Sequence, residues 1–173
     1  MPITLVRHAE VETAYIGKYN GHIDIGLSER GKAQAQALAE KLQAQTYDEV
    51  YCSDLRRARD TLAAFSLDVE PIFTKALREK SWGRHEGKSF EEIEAEGIKY
   101  ENFTQWIEAL DGERMEVFQS RVFNFLHSIE QSDKNILVVT HAGVIKVLQS
   151  VHNRMSLENT FYTSIGYAEF CVL

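Results

Sequence analysis

The sequence predicts an α/β fold: a three-layer α/β/α sandwich on a mostly parallel sheet, with one antiparallel edge strand and a small helical cap. Short runs of branched apolar residues alternate with amphipathic stretches, the pattern of parallel strands joined by covering helices. Two of the runs, residues 3–6 and 136–139, are largely apolar, as expected of buried strands. Both lead into polar pairs, Arg7-His8 and Thr140-His141, at the strand end where α/β sheets gather their ligands.

The first strand carries Ile3, Leu5 and Val6 up to Arg7 and His8. An arginine there suits a phosphate or carboxylate through two parallel hydrogen bonds, and an imidazole is unprotonated and reactive near neutrality. Taken alone, the dipeptide equally fits a strand that simply ends on two polar residues. A polar segment with Gly17, Gly21 and Gly26 follows, a loop about sixteen residues long, and structureless loops of that length are functional or disordered. Ser28 reads as an N-cap, and Ala35, Leu38, Ala39 and Leu42 at helical spacing carry a helix to about Gln45. Residues 49–52 form a second strand.

Leu55, Ala58, Leu62 and Phe65 mark the next helix, whose first turns hold Arg56, Arg57 and Arg59. Cations at the positive end of a helix dipole are unfavourable unless one of them faces an anion there; a solvated basic face is the alternative. Residues 70–74 can be a third strand. Glu79, Trp82 and Glu86 lie in the following segment, broken by Gly83 and Gly87, and Ser89 with Glu92 has the capping-box pattern that starts a helix. Gly87-Lys88-Ser89 resembles the end of a phosphate-binding P-loop, but Trp82 stands where its first glycine belongs, so a nucleotide reading is rejected. Tyr100, Phe103, Trp106, Ile107 and Leu110 make residues 97–112 either core or cover, read here as part of a helical cap over residues 89–112. Phe118, Val122, Phe125, Leu126 and Ile129 give residues 113–131 the clearest amphipathic helix of the chain. After the strand at 136–139, a helix carries Val144, Val147, Leu148 and Val151, with backbone N–H groups at its start near His141. Residues 167–172 alternate and form the final edge strand.

At 173 residues the chain is expected to be a single domain spanning 1–173, large enough for a substantial core. A net charge of −7 argues against nucleic-acid and acidic-membrane partners, so an anion site must come from a local cluster of cations. No secretory signal and no run long enough to span a membrane is visible, and Cys52 and Cys171 are expected to stay thiols, so a cytoplasmic location is expected. No cluster has metal-ligand spacing, so neither a metal nor another cofactor is expected.

Two strands ending in histidine, an arginine-rich helix start and a glutamate in a glycine-flanked segment, in this order, resemble the histidine phosphatase superfamily, also called phosphoglycerate-mutase-like. The resemblance runs over nearly the whole chain. It is carried by Arg7-His8-Ala9-Glu10; by Gly17, Gly21, Asp24, Leu27, Ser28 and Gly31; by Ser53, Arg57, Ala58 and Thr61; by Leu77, Glu79, Gly83, Glu86 and Gly87; and by His141 in a His-Ala-Gly context. It implies that His8 is the nucleophile that accepts the phosphoryl group, that Arg7, Arg57 and His141 surround the phosphate, and that Glu79 protonates the leaving oxygen. Asn20, Gly21, Ala142 and Gly143 are implied to add substrate contacts. Trp82 takes the place of a large aromatic in the family and either lines the pocket or packs. Such chemistry is mainly positioning and charge stabilisation, which two guanidinium groups and a second imidazole supply.

Three positions depart from the family pattern. Ala9 replaces a glycine, Cys52 replaces a serine, and Ala14 stands where many members carry a phosphate-holding asparagine. His22, His85, His127 and His152 read as ordinary surface or loop residues, with His85, near Glu79, the candidate exception. The resemblance implies a small phosphorylated substrate for a monomer or homodimer. The acidic stretch with Glu91, Glu92, Glu94 and Glu96 disfavours a doubly phosphorylated mutase cofactor, so a phosphatase is favoured over a phosphoglycerate mutase. Small α-ribazole-5′-phosphate phosphatases are the nearest in look, through Gly112-Glu113-Arg114 and Leu157-Glu158-Asn159. A protein-phosphohistidine phosphatase is the alternative enzyme, for which a helical cover over 89–112 is a counter-indication. A catalytically weak phosphate-binding regulator is the non-enzymatic alternative.

Overall fold

The computed structural model describes residues 2–131 and 133–173, so residues 1 and 132 of the expected 1–173 domain lie outside it. Five strands form one sheet: β1 (Ile3–Arg7), β2 (Glu49–Ser53), β3 (Ile72–Thr74), β4 (Ile136–Thr140) and β5 (Phe170–Val172). Their order is β3-β2-β4-β1-β5, parallel throughout except where β5 runs antiparallel to β1. Because side chains alternate along a strand, Leu5 and Val6 enter different cores. Leu5, with Ile136 and Val138, packs under α5 (Met115–Ile129) and α6 (Ala142–His152). Val6, with Leu137 and Val139, packs under α1 (Glu29–Leu42) and α2 (Arg56–Leu62). The three layers follow from this alternation. Each fully buried Leu or Val there stabilises the fold by roughly 1.5–3 kcal/mol.

The cap consists of α3 (Phe90–Glu94) and α4 (Phe103–Ala109), held by a small core of Ile93, Trp106, Ile107 and Leu110. Ser89 and Glu92 complete the capping box, and the Asn102 side chain accepts the Gln105 N–H at the start of α4. The indole of Trp106 donates to the Tyr19 hydroxyl at 2.9 Å, and a β-bridge joins Lys18 to Ser89, so the loop after β1 is fastened to the cap. A last short helix, α7 (Leu157–Phe161), precedes β5.

Several elements differ from the sequence reading. Residues 11–26 are not a structureless loop: a bridge between Val11 and Leu27 closes the segment, and Thr13–Tyr15 is a 3₁₀ turn. Helix α1 ends at Leu42 rather than near Gln45. Strand β3 begins at Ile72 and lies on the sheet edge, where Ile72 and Phe73 are 50 % and 47 % exposed. Strand β5 begins only at Phe170, because Ala168 adopts φ 53°, incompatible with an extended chain. The three arginines of α2 are not one solvated basic face: Arg56 pairs with Asp60, Arg59 lies over the Phe73 ring, and Arg57 turns inward. His85 is completely buried, not superficial: its Nδ1 accepts the Asp111 N–H and its Nε2–H donates to Glu96, which makes it a strut of the cap.

Candidate active site

The β1–β4 register pairs Arg7 with Thr140, so the next residues, His8 and His141, emerge side by side at the carboxyl edge of the sheet. Their ring centroids are 5.1 Å apart, edge to face at 61°. The His8 N–H donates to the Thr140 carbonyl at 2.9 Å, which pins the backbone. Its Nδ1 lies 2.8 Å from the Ala9 carbonyl oxygen. A carbonyl only accepts, so Nδ1 carries the hydrogen and Nε2 keeps its lone pair. Burial, then the charges of Arg57 and Arg7, hold His8 well below the usual histidine range, so the ring is neutral and nucleophilic at pH 7. Ala9 donates its N–H to the Thr61 hydroxyl, and its methyl group is buried against Leu27 and Ala35. The departure from glycine is thus absorbed by packing.

His141 caps the start of α6 and is completely buried. Its Nε2 lies 2.8 Å from the Ser53 hydroxyl at the end of β2, while its Nδ1 is buried with no partner. Burial and the nearby Arg57 keep it, too, well below the usual range.

Arg57 is 2 % exposed. It donates to the carbonyls of Gly21 at 2.7 Å and Ile23 at 2.8 Å, so one guanidinium shapes the loop that walls the site. Burial pushes its pKa down to about 10, which leaves it charged at neutral pH. Arg7 donates Nη1 to the Ile165 carbonyl at 2.6 Å and lies 4.2 Å from the Tyr167 ring centroid; its Nε is buried without a partner. Among the described residues these two cations have no carboxylate in ion-pair contact, which marks a place prepared for an external anion.

Glu79 follows the 3₁₀ turn Lys75–Leu77 and reaches the same edge. Its two oxygens accept the N–H groups of Lys80 and Gly143, each at 3.0 Å. Gly143 leaves the carboxylate its place: a Cβ on it would stand 2.2 Å from Glu79 Oε1. The Gly143 N–H is therefore occupied by Glu79, although the sequence reading assigned it to the substrate. Arg121 grips the Ala76 and Arg78 carbonyls from α5 and pairs with Glu113, fixing the segment that carries Glu79. The His22 ring donates from Nε2 to the Glu79 carbonyl oxygen at 2.8 Å. Gly21, at φ 48°, leaves room for Glu86, which accepts the His22 and Trp82 N–H groups.

A pocket of about 200 Å³ opens between these groups, with Arg7, His8, Arg57, Glu79 and Ala142 on its walls. Gly21, Asn20 and Trp82 line it as well, so Trp82 is a wall residue and not merely packing. Asn20 gives an amide N–H to the Tyr15 carbonyl and leaves its Oδ1 buried without a partner. His141 stands behind His8, and Ala14, on the 3₁₀ turn, is exposed. Lys18, Tyr19 and Tyr167 complete the wall and went unnoticed in the sequence. Lys18 had only its glycine-flanked neighbourhood as a signal, and Tyr167 reads as the first residue of an alternating strand. A wider cleft of about 630 Å³ between α2 and β3 holds none of this chemistry. Among the described residues, no three His, Cys, Asp or Glu side chains are grouped so as to hold a metal ion. No described helix is long and apolar enough to cross a membrane.

Residues 3–173 match the model of the histidine phosphatase superfamily, branch 1. The adenosylcobalamin/alpha-ribazole phosphatase of Salmonella typhimurium is 35 % identical over 156 residues, covering 86 % of this chain and 77 % of that protein. Phosphoserine phosphatase 1 of Hydrogenobacter thermophilus is 35 % identical over 157 residues, covering 84 % and 73 %. Among solved structures, the alpha-ribazole phosphatase from Shigella flexneri superposes with a TM-score of 0.86 at 28 % identity, covering 99 % of this chain and 89 % of that one.

Proposed function

We propose that this chain, which belongs to the histidine phosphatase superfamily, hydrolyses small phosphomonoesters through a phosphohistidine on His8. That it is a phosphatase follows from the family and from relatives named as phosphatases. Those names put forward α-ribazole 5′-phosphate and phosphoserine as the first substrates to try. The observation that carries the residue roles is the position of Glu79. It lies on the wall shared by the cationic pocket of His8, Arg7 and Arg57 and by an adjoining apolar pocket. A phosphomonoester with its phosphate in the first and its alcohol in the second has its bridging oxygen beside that carboxyl group.

In the first step the Nε2 lone pair of His8 attacks phosphorus, the bond to the alcohol oxygen breaks, and that oxygen takes a proton from Glu79. The Nδ1–H stays on the Ala9 carbonyl, which favours the charge that the phosphorylated ring acquires. In the second step Glu79, now a carboxylate, takes a proton from water; the water oxygen attacks phosphorus and the N–P bond breaks. Both groups return to their initial states. Arg7 and Arg57 stabilise the charge on the equatorial oxygens. A phosphate oxygen supplies the partner that His141 Nδ1 lacks, and the Ser53 hydroxyl donating to Nε2 selects the required tautomer. Lys18, on the same wall, takes over the role of the donor missing at Ala14. Helix α4 walls the adjoining pocket with Phe103 and Ile107, and the Lys18–Ser89 bridge ties the site loop to the cap, which favours small substrates over a phosphohistidine on a protein surface.

The test is turnover of 4-nitrophenyl phosphate with trapping of an acid-labile phosphoprotein. His8→Ala is expected to lower turnover by at least ~10³-fold, the order seen when a nucleophile is removed, and to abolish the phosphoprotein. Activity retained in that variant overturns the assignment; binding of phosphate with no turnover in the unaltered protein indicates a regulator instead.

A further inference from the structure

We infer that the enzyme selects phosphomonoesters whose alcohol is a single compact apolar ring bearing a carboxylate, with Lys146 as the group that receives the carboxylate. The inference rests on the phosphatase reading above and names the class of alcohol.

The adjoining pocket encloses about 160 Å³. An apolar cavity of roughly 150 Å³ accommodates one benzene ring, so the space beside Glu79 fits one ring. Phe103, Ile107, Met115, Phe118, Leu157 and Phe161, from cap, α5 and α7, make most of its wall apolar. Two ammonium groups interrupt that wall. The first belongs to Lys80, which is 2 % exposed and already served: it donates to the Ser81 carbonyl at 3.2 Å and lies 4.2 Å over the Trp82 ring.

Lys146 differs. It projects from α6 one turn beyond Gly143 and is half-buried, with its Nζ 5.1 Å from the Phe161 ring centroid. Among the described residues it has no hydrogen-bond or ion-pair partner. The charged groups that face it are Glu79, whose two oxygens hold the Lys80 and Gly143 N–H groups, and Arg7, which repels it. Burial accordingly lowers the pKa of Lys146. A half-desolvated cation with no acceptor is repaired by an anion brought in with the ligand. One uncommitted ammonium in a largely apolar wall suits a monoanionic carboxylate better than a second phosphate, which is held by several charged donors.

The experiment compares kcat/KM for phenyl phosphate with that for 3- and 4-carboxyphenyl phosphate, in the unaltered enzyme and in Lys146→Met and Lys146→Arg. The unaltered enzyme is expected to prefer one carboxyphenyl isomer by about tenfold or more, as one charge-assisted hydrogen bond allows. In Lys146→Met the ratio falls towards one, and in Lys146→Arg most of it is retained. A ratio at or below one for both isomers in the unaltered enzyme overturns the inference. So does a Lys146→Met variant that slows all three esters equally, since Lys146 then acts through Glu79 and not on the ligand. Failure of the underlying reading looks different: phenyl phosphate is not hydrolysed and no phosphoprotein dependent on His8 forms.

Discussion

Gly143→Ala separates stability from catalysis in a way few substitutions here can. Gly143 lies in the first turn of α6, where alanine is the better helix former by up to about 1 kcal/mol. The new methyl carbon, however, would stand 2.2 Å from Glu79 Oε1 and 3.2 Å from Oε2. Ordinary contact needs well over 3 Å, so the carboxylate must move by about 1 Å and give up the Gly143 N–H that orients it. A misplacement of that size costs ~10²-fold in rate, and losing a general acid altogether costs ~10²–10⁴-fold. The expected result is a protein that melts within a few degrees of the unaltered one and turns over ~10²-fold more slowly. The loss should depend on the leaving group. An alkyl phosphate, whose alkoxide requires protonation, should lose the full factor, whereas 4-nitrophenyl phosphate, whose phenolate leaves unaided, should lose much less in the phosphorylation step. Steady-state rates over a series of alkyl and aryl phosphates, with the phosphorylation burst resolved separately, check this. An equal loss across the series would refute the assignment of Glu79 as proton donor, and no loss at all would show that Gly143 does not set its position.

Lys18→Met removes the cation proposed to replace the missing donor at position 14. KM for 4-nitrophenyl phosphate should rise about tenfold or more, the scale of one hydrogen bond to a charged group, with a smaller change in kcat. An unchanged KM would remove Lys18 from the site. Stability should respond to pH through both buried histidines. Each is held well below 6.5 in the folded state, so below pH 6.5 the unfolded chain binds protons that the folded chain refuses. Their contribution is present above pH 6.5 and is lost as pH falls beneath it. Thermal melts from pH 7.5 to 5 should therefore show a decline that is smaller in His8→Phe; a decline of the same size in that variant would show that His8 titrates normally. The same burial means that kcat/KM should not fall through a pKa near 6.5 on account of His8.

The parts of the site legible in the sequence are those set by strand ends. His8 and His141 each follow an apolar strand, and the β1–β4 register that aligns Arg7 with Thr140 then makes their meeting unavoidable. The helix dipole calls for one inward-facing arginine in α2 without saying which, and the family resemblance picks out Arg57; its clamp on the Gly21 and Ile23 carbonyls is not readable, since nothing local predicts a partner more than thirty residues away. Lys146 and Lys80 sit in or beside patterns that read as ordinary helix and turn; only tertiary packing gives them a common apolar wall. His85 misled for the same reason. It reads as a surface or loop residue, with the site near Glu79 as the exception, while burial and hydrogen bonds to Asp111 and Glu96 commit it to the cap. Tyr167 was hidden by periodicity: the alternation from 167 onward is real in composition, but the φ of 53° at Ala168 turns the chain and leaves the ring over Arg7.

An acidic protein can hold an anion only where burial removes the screening influence of the rest of its charge. The chain carries a net −7, yet the pocket wall brings Arg7, Arg57, Lys18 and the neutral His8 together with one carboxylate, Glu79, while the neutral His141 stands behind His8. Keeping Arg7 and Arg57 largely out of water without ion-pair partners is destabilising, and backbone carbonyls of Ile165, Gly21 and Ile23 offset part of that. Each of those carbonyls belongs to a loop that walls the site. The cations that await the phosphate are thus the same ones that hold the loops in place, and a phosphate that recruits them does so without having to order the loops first.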